Sequence, residues 1–247
     1  MSKLIANNIS KVYEGKEIIK DISIEVREGE IVSLLGVSGV GKTTLFNTLS
    51  GLLIPEQGVV LLEGVDITGE AGHISYMLQK DLLLPYKTVI DNVALPLIIK
   101  GAEKSIARAK AEQYFETFGI EGNQNKYPHQ LSGGMRQRAA LLRTYLFSQD
   151  VALLDEPFSA LDTITKSNMH SWYLNIMETI KLTTLFITHD IDEAILLSDR
   201  IYIMTGQPGQ ITSEIIINHQ KPRGAEFILS DEFISFKRQV LNILQGN

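Results

Sequence analysis

The stretch GVSGVGKT, residues 36–43, follows the apolar run "EIVSLL" and opens a segment of helical character, "KTTLFNTLSGL". It fits the pattern G-x-x-x-x-G-K-[ST], whose glycines let the backbone curl around phosphate groups. In such a loop Lys42 would reach the β- and γ-phosphate oxygens, and the hydroxyl of Thr43 would bind Mg²⁺. Since the strand and the helix that the pattern requires both flank it, the stretch predicts a nucleotide-phosphate loop within an α/β fold.

The rest of the chain divides into segments that differ in the spacing of their apolar residues. Strand patterns dominate before residue 79 and return with "VALLDEP" at residue 151, where strands and helices alternate and so indicate a parallel sheet. Between them, about residues 80–150, apolar residues recur at helical spacing in three stretches, "TVIDNVALPLIIKG", "EKSIARAKAEQYFETFG" and "SGGMRQRAALLRTYLF". We expect one 247-residue unit: a P-loop NTPase core with a mixed or parallel sheet and antiparallel β parts (about 1–79 and 151–230), including an N-terminal antiparallel β subdomain, an inserted α-helical subdomain (about 80–150) and a C-terminal amphipathic helix (about 231–247).

Composition narrows the class of protein. The balance of 44% hydrophobic and 21% charged residues is that of a globular chain, and a formal charge of −6 argues against a nucleic-acid binder. There is no cysteine, so neither disulfides nor thiolate metal sites are available. The N-terminus "MSKLIANNIS" lacks the apolar stretch of about 7–15 residues that marks a signal peptide, and no window approaches the roughly 18–20 consecutive apolar residues of a membrane span. A function at a membrane would therefore be that of a peripheral subunit.

A pair of acids ends the apolar run "VALLDEP". Asp155 at the end of a buried strand is placed to hold Mg²⁺ through water, and Glu156 beside it could orient and polarise a water that attacks the γ-phosphate. The alternative is a pair of solvated acids at a strand end. The glycine loop upstream favours the catalytic interpretation.

A second anion-binding segment, "HQLSGGMRQRA" at residues 129–139, has glycines before a helix but no lysine in P-loop register. On its own it offers backbone N–H groups, the hydroxyl of Ser132 and the charge of about +0.5 at a helix N-terminus. That is too little to hold a nucleotide, but it is enough to close on a phosphate gripped elsewhere. Two such elements on one chain could serve one ATP, two ATPs, or one ATP shared between two chains.

Four motifs in order, the glycine loop, "LSGGMRQR" at 131–138, "LLDEPFSALD" at 153–162 and "ITHD" at 187–190, resemble those of the nucleotide-binding subunit of an ATP-binding cassette (ABC) transporter. The resemblance covers essentially the whole chain. It implies an ATPase with ATP and Mg²⁺ at its site.

The resemblance also implies roles for individual residues. Tyr13 matches the aromatic residue that stacks on adenine, Gln79 a glutamine in the Mg²⁺ and water shell, and His189 a switch histidine at the γ-phosphate. Asp162 matches the loop by which one subunit touches the catalytic region of the other, although it could also be a helix cap. The predicted catalytic residues are Glu156 and His189, and the predicted metal-binding residues are Thr43, Gln79 and Asp155. The predicted nucleotide-binding residues are Tyr13, Gly36, Val37, Ser38, Gly39, Val40, Gly41, Lys42, Thr43, Thr44, Gln79, Ser132, Gly133, Gly134, Asp155 and Asp162.

The resemblance further implies a head-to-tail homodimer with two ATPs between its subunits, separate integral membrane permease subunits, an extracytoplasmic solute-binding protein reached only through them, and a peripheral position on the cytoplasmic face of the membrane. The apolar segment "LLLPYKTVIDNVALPLII" at residues 82–99 is a predicted docking surface for the permease, with core packing as the alternative.

Four stretches, "LSGGMRQR", "DEPFSALD", "LPYKTVIDNVALPL" and "GQPGQI", look most like the importer subfamily for nitrate, sulfonate, taurine and thiamin-precursor pyrimidines. The alternatives are an ATPase of an extrusion or lipoprotein-release system and an ABC ATPase that acts as a switch outside transport. Solute specificity is expected to reside in the permease and the binding protein, because this subunit would touch only ATP, its twin and the channel.

Overall fold

A computed structural model describes residues 1–221 and 223–246. The described strands are β1 (Ser2–Tyr13), β2 (Lys16–Arg27), β3 (Ile31–Gly36), β4 (Gln57–Leu62), β5 (Val65–Asp66), β6 (Ser75–Met77), β7 (Val151–Asp155), β8 (Thr183–Thr188), β9 (Arg200–Thr205) and β10 (Gln210–Ile216). The described α-helices are α1 (Lys42–Leu49), α2 (Val89–Val93), α3 (Leu95–Ile99), α4 (Lys104–Glu112), α5 (Gly133–Phe147), α6 (Thr163–Ile180), α7 (Ile191–Leu197), α8 (Ala225–Ile228) and α9 (Asp231–Gln245).

The central sheet has six strands in the order β10-β9-β3-β8-β7-β6. The five strands from β9 to β6 are parallel, and β10 pairs antiparallel with β9. Every residue of β3, β7 and β8 is buried, as expected for apolar strands covered on both faces. The predicted α/β fold with a mostly parallel sheet is confirmed.

A second sheet, antiparallel and ordered β2-β1-β4-β5, comes mostly from the N-terminal part of the chain. Together with α1, it packs on one face of the central sheet. Alternate residues of the central strands, such as Val32 and Leu34, contact it on this face. The opposite face, through Ile31 and Leu35, packs against the helices. The central sheet is therefore the middle layer of the molecule.

The segment between β6 and β7 is helical, as predicted, but its second helical stretch is shorter than the pattern suggests. The apolar spacing continues to Gly119, whereas α4 ends at Glu112 and residues 113–119 form turns. Several backbone bonds there span three residues, such as that from the Phe115 N–H to the carbonyl of Glu112 (3.1 Å), which tightens the chain. Phe115 and Phe118 are buried by this arrangement.

Two more features concern the ends of the helices. The C-terminal helix predicted over 231–247 runs through Gln245, and Asn247 lies outside the described residues. None of the helices in the described part of the chain is both long enough and apolar enough to span a bilayer.

Candidate functional site

The segments that follow four neighbouring strands meet at one edge of the central sheet. Because β3, β8, β7 and β6 are adjacent and parallel, their carboxyl ends share that edge, where ligands bind in open α/β sheets. The segments enclose a cavity of about 450 Å³, here called the main cavity. Its lining residues are Ile18, Ser38, Gly39, Gly41, Lys42, Thr43, Thr44, Gln79, Asp155, Glu156, Ile187 and His189. Of the predicted glycine loop, Gly36, Val37 and Val40 do not line it.

Two glycines of the loop occupy positions that no other residue fits. Gly41 precedes α1 with φ of 109°, and a Cβ there would lie 2.5 Å from Cγ2 of Ile19. A Cβ on Gly36 would lie 2.5 Å from the carbonyl oxygen of Met204. The glycine pattern is thus required by local packing as well as by access of the backbone to a ligand.

Lys42, the first residue of α1, folds back into the glycine loop. It is only 6% exposed, and its Nζ donates to the carbonyl oxygens of Gly36 (2.8 Å) and Val37 (3.0 Å). Burial lowers the pKa of the Lys42 ammonium, against the opposing effect of the Glu156 and Asp155 charges. A ligand that brings negative charge into the main cavity would offset this burial.

Asp155 ends β7 and faces the hydroxyl of Thr43. Its Oδ2 lies 3.4 Å from Oγ1 of Thr43 and 3.5 Å from the hydroxyl oxygen of Tyr76. Burial raises the pKa of Asp155, and the charge of the adjacent Glu156 raises it further. This oxygen-rich set has the donor chemistry that Mg²⁺ prefers, and a cation here would relieve the cost of burying the carboxylate.

Glu156 accepts hydrogen bonds on both carboxylate oxygens. Nε2 of Gln79 donates to Oε2 at 3.0 Å, and Nδ1 of His189 lies 3.1 Å from Oε1. The backbone of Glu156 has φ of 45°, a conformation that costs free energy in a residue with a side chain and is concentrated at functional sites. The structure therefore brings the two predicted catalytic residues together and fixes the carboxylate between the segments that follow β6 and β8.

The second predicted phosphate element lies elsewhere. Ser132 caps the N-terminus of α5, and its Oγ accepts from the backbone N–H of Met135 at 3.3 Å. Ser132 and Gly134 line a separate cavity of about 350 Å³, here called the signature cavity, none of whose lining residues lines the main cavity. Gly133 begins α5 between them. Within one chain, the two phosphate elements thus face different spaces.

Two other predicted residues also lie outside the main cavity. Asp162 caps α6, where its Oδ1 accepts from the Thr165 N–H at 3.1 Å. Tyr13, at the end of β1, has an exposed ring and pairs across the β1–β2 hairpin with Lys16. That hairpin reaches the main cavity through Ile18, two residues beyond Lys16. Stacking of Tyr13 on a base stays a prediction.

Sequence reasoning missed residues that hold the site from behind. Arg143 of α5 donates to the carbonyls of Asp81 (2.5 Å) and Leu82 (2.8 Å), just after Gln79. Arg136 of α5 contacts the Asp81 carboxylate at 3.3 Å and donates to the carbonyl of Leu131 at 2.8 Å. These arginines link the Gln79 segment to α5. The basic residues of "GGMRQRAALLR" were visible in the sequence, but Asp81 and Leu82, the acceptors that tie Arg136 and Arg143 to the Gln79 segment, are more than fifty residues distant.

The family model described as ABC transporter matches residues 19–159. The chain is 48% identical over 206 residues to the formylaminopyrimidine import ATP-binding protein ThiZ of Halalkalibacterium halodurans, covering 83% of this chain and 80% of that protein. It is 36% identical over 237 residues to the aliphatic sulfonates import ATP-binding protein SsuB of Bacillus cereus, covering 96% and 92%.

The fold is also similar to that of a solved structure, the dimeric post-hydrolysis state of the ATP-binding cassette MJ0796 bound to ADP and Pi. The TM-score is 0.73 at 28% identity, over 88% of this chain and 100% of that one.

Proposed function

The chain belongs to the ABC transporter family as an ATP-binding ATPase, and from this premise we propose that two copies dimerise head to tail on ATP and power import of a small solute through separate membrane subunits. The import proteins that the chain resembles support the direction of transport. They favour import over the alternatives of extrusion, lipoprotein release or a switch outside transport.

One observation carries the dimer. The lysine-bearing loop and the Ser132 segment are both suited to phosphate, yet they line different cavities of the same chain. A nucleotide held by Lys42 therefore has no contact with Ser132 of its own subunit within the main cavity, and the segment around Ser132 lacks a lysine to hold one alone. Capping of the partner's nucleotide gives both elements a function. The dimeric cassette structure to which the chain is similar is consistent with this arrangement.

The residues that would hold Mg²⁺ are Thr43, Asp155 and Gln79, because their side chains supply oxygen donors. The ion would supply charge neutralisation on the phosphate oxygens. Lys42 would exchange the carbonyls of Gly36 and Val37 for phosphate oxygens, and its charge would then be compensated by the ligand.

Glu156 would orient and polarise the attacking water, while His189 would donate to the γ-phosphate. The amide of Gln79 restricts the Glu156 carboxylate, so any displacement of the Gln79 segment changes the geometry of the base. The segment after Gln79 is tied in turn to α5 through Arg143. Hydrolysis removes the γ-phosphate contacts that hold two subunits together, which couples chemistry to opening of the dimer.

The permease would dock on an apolar groove of about 370 Å³ beside α3. Leu52, Pro96, Ile99 and Phe147 are among its lining residues, and Arg143 lines it too, which connects the groove to the Gln79 segment. The predicted docking segment, residues 82–99, divides between two environments: Val89, Ile90 and Val93 are buried, whereas Tyr86 and Ile99 are each 73% exposed. The exposed part supports docking and the buried part packs in the core.

The location and the cargo follow from the partners. Attachment to a permease would place the chain peripherally on the cytoplasmic face of the membrane, with a solute-binding protein on the far side. The chain would divide near residues 80 and 150 into the P-loop core and the helical subdomain, and the helical subdomain would move with the permease. A thiamin-precursor pyrimidine is the first solute to test, because identity is 48% to the formylaminopyrimidine protein and 36% to the sulfonate protein.

The experiment that tests the dimer uses Glu156→Gln, which removes the base but keeps the size of the side chain. We expect this variant to form an ATP-dependent dimer in size-exclusion chromatography and to hydrolyse ATP at least about a hundredfold more slowly than wild type. The matched control, Glu156→Gln combined with Lys42→Ala, should stay monomeric. A Glu156→Gln variant that remains monomeric under saturating ATP and Mg²⁺ would contradict the proposal.

A further inference from the structure

A buried charged cluster lies directly behind His189, outside the main cavity. Its centre is Glu193 of α7, which is 3% exposed. Oε1 of Glu193 lies 3.0 Å from Nε2 of the buried His170 of α6, and Oε2 accepts a short hydrogen bond from the hydroxyl of Thr188. Burial of a carboxylate is costly unless it is fully paired, so a cluster of this kind specifies one arrangement of the groups around it.

Both neighbours of His189 in the chain belong to this cluster. The N–H of Asp190 donates to Oγ1 of Thr188 at 3.0 Å, and Oδ2 of Asp190 accepts from Nζ of Lys166 at 2.7 Å. The ammonium of Lys166 also lies 3.5 Å from Oε1 of Glu193. The backbone on each side of His189 is therefore held by groups from α6 and α7, whereas the imidazole itself is more than half exposed in the main cavity.

The cluster extends in the other direction to Asp162. Lys166 and His170 lie four residues apart on α6 and so present their side chains on the same face. The N–H of Lys166 donates to the carbonyl of Asp162 at 2.8 Å, in the first turn of the helix that Asp162 caps. A shift of Asp162 along this turn would move Lys166, and with it the support of His189.

We propose that Lys166 and His170 are positioning residues that act through His189. They couple the position of the Asp162 loop to the position of the His189 imidazole at the γ-phosphate. The inference rests on the proposed function, in which His189 contacts the nucleotide, and on the role that the family resemblance implies for Asp162, namely contact with the partner subunit. Contact of Asp162 with the partner subunit would then determine the position of His189 through Lys166. Neither Lys166 nor His170 lines the main cavity, so neither contributes to nucleotide affinity directly.

The test compares Lys166→Met with Lys166→Arg, and uses Lys237→Met as the matched control. Lys237 forms an exposed ion pair with Asp192, so its loss removes a lysine contact to α7 without touching the cluster. We expect Lys166→Met to lower kcat about tenfold to a hundredfold, because small displacements of a reacting group have effects of this size. Affinity for a fluorescent ATP analogue should change by less than about twofold. Lys166→Arg should restore most of the turnover, and Lys237→Met should match wild type.

A spectroscopic readout separates positioning from a general loss of structure. The imidazole Cε1–H resonance of His189, assigned by its absence in His189→Gln, should shift in Lys166→Met and not in Lys237→Met. Thr188→Val, which keeps the volume and removes the hydroxyl, should reproduce the loss of kcat without any change of charge. An unshifted His189 resonance, or equal loss of kcat and of nucleotide affinity, would overturn the inference.

Failure of the inference differs from failure of the proposed function. If Glu156→Gln hydrolyses ATP at the wild-type rate, the proposed catalytic site is wrong and the inference is overturned with it. If Glu156→Gln is inactive while Lys166→Met and Thr188→Val turn over like wild type, only the positioning role is wrong.

Discussion

Nε2 of Gln79 donates to Oε2 of Glu156 across 3.0 Å, joining the segment after β6 to the end of β7. The bond holds one oxygen of the proposed base. Arg143 donates to the Asp81 carbonyl and also lines the groove proposed as the permease docking site. If the permease docks there, a displacement of Arg143 would reach the carboxylate through the Gln79 segment.

Loss of this bond should lower turnover. We predict that Gln79→Leu lowers kcat about tenfold, because the Glu156 carboxylate loses one of its two fixed contacts and the proposed Mg²⁺ site loses an amide oxygen. Steady-state ATPase measurements at saturating Mg²⁺ provide the check. Gln149→Leu is the control, since that amide contacts Tyr114 outside the main cavity. Equal turnover by Gln79→Leu and wild type would rule out this role for the bond.

Removal of the metal should abolish hydrolysis. We predict that EDTA stops turnover and that Thr43→Val raises the Mg²⁺ concentration for half-maximal rate by about tenfold or more, because the proposed metal ligand beside Asp155 is lost. Thr43→Ser keeps the hydroxyl and should need nearly the wild-type concentration. A titration of rate against Mg²⁺ in which Thr43→Val and Thr43→Ser coincide would contradict the assignment.

The glycine loop should resist a side chain at Gly41 for two separable reasons. Gly41→Ala forces a Cβ to within 2.5 Å of Ile19 at φ of 109°, whereas Gly39→Ala meets no atom within 4 Å at φ of 81°. We predict that Gly39→Ala costs about 1 kcal/mol of unfolding free energy from backbone strain and that Gly41→Ala costs about 2–4 kcal/mol. Urea unfolding measures both. Equal costs would show that packing against Ile19 is unimportant.

Stability should depend on pH through Asp190. Burial acts to raise the pKa of Asp190, but the Lys166 ammonium and the backbone N–H groups of Glu193 and Asp192 outweigh it and leave the pKa below 3.8. A carboxyl whose pKa is lower in the folded state contributes stability above its unfolded pKa, and that stability is lost as the pH falls through the folded value. Asp190→Asn should thus lower Tm at pH 7, and its difference from wild type should shrink below about pH 4. A difference that grows on acidification would be the wrong sign.

The glycine loop and Asp155 could be predicted from sequence because each adjoins an apolar strand in a short local pattern, whereas His189 was predicted from the family resemblance of "ITHD". Parallel pairing of those strands then brings their ends together. The contact of Tyr76 with Asp155 could not be predicted, since it depends on how β6 is placed beside β7. The end of α4 at Glu112 was missed for a related reason: burial of Phe115 and Phe118 outweighs continued helical spacing.

The cluster behind His189 also escaped prediction. No spacing in the sequence marks Lys166 and His170 of α6 as neighbours of Glu193 of α7. Only the packing of α6 beside α7 shows that they meet. Conversely, the family resemblance predicts that Tyr13 stacks on adenine, yet Tyr13 does not line the main cavity.

In the proposed dimer, the Ser132 segment of one subunit completes the nucleotide site of the other. This arrangement is tested most directly by mixing two inactive variants, Lys42→Ala and Ser132→Arg. A head-to-tail heterodimer contains one site with both elements intact and one with neither, so the mixture should hydrolyse ATP at a substantial fraction of the wild-type rate while each variant alone stays inactive. A mixture as inactive as its components, with dimer formation verified by size-exclusion chromatography, would contradict the account.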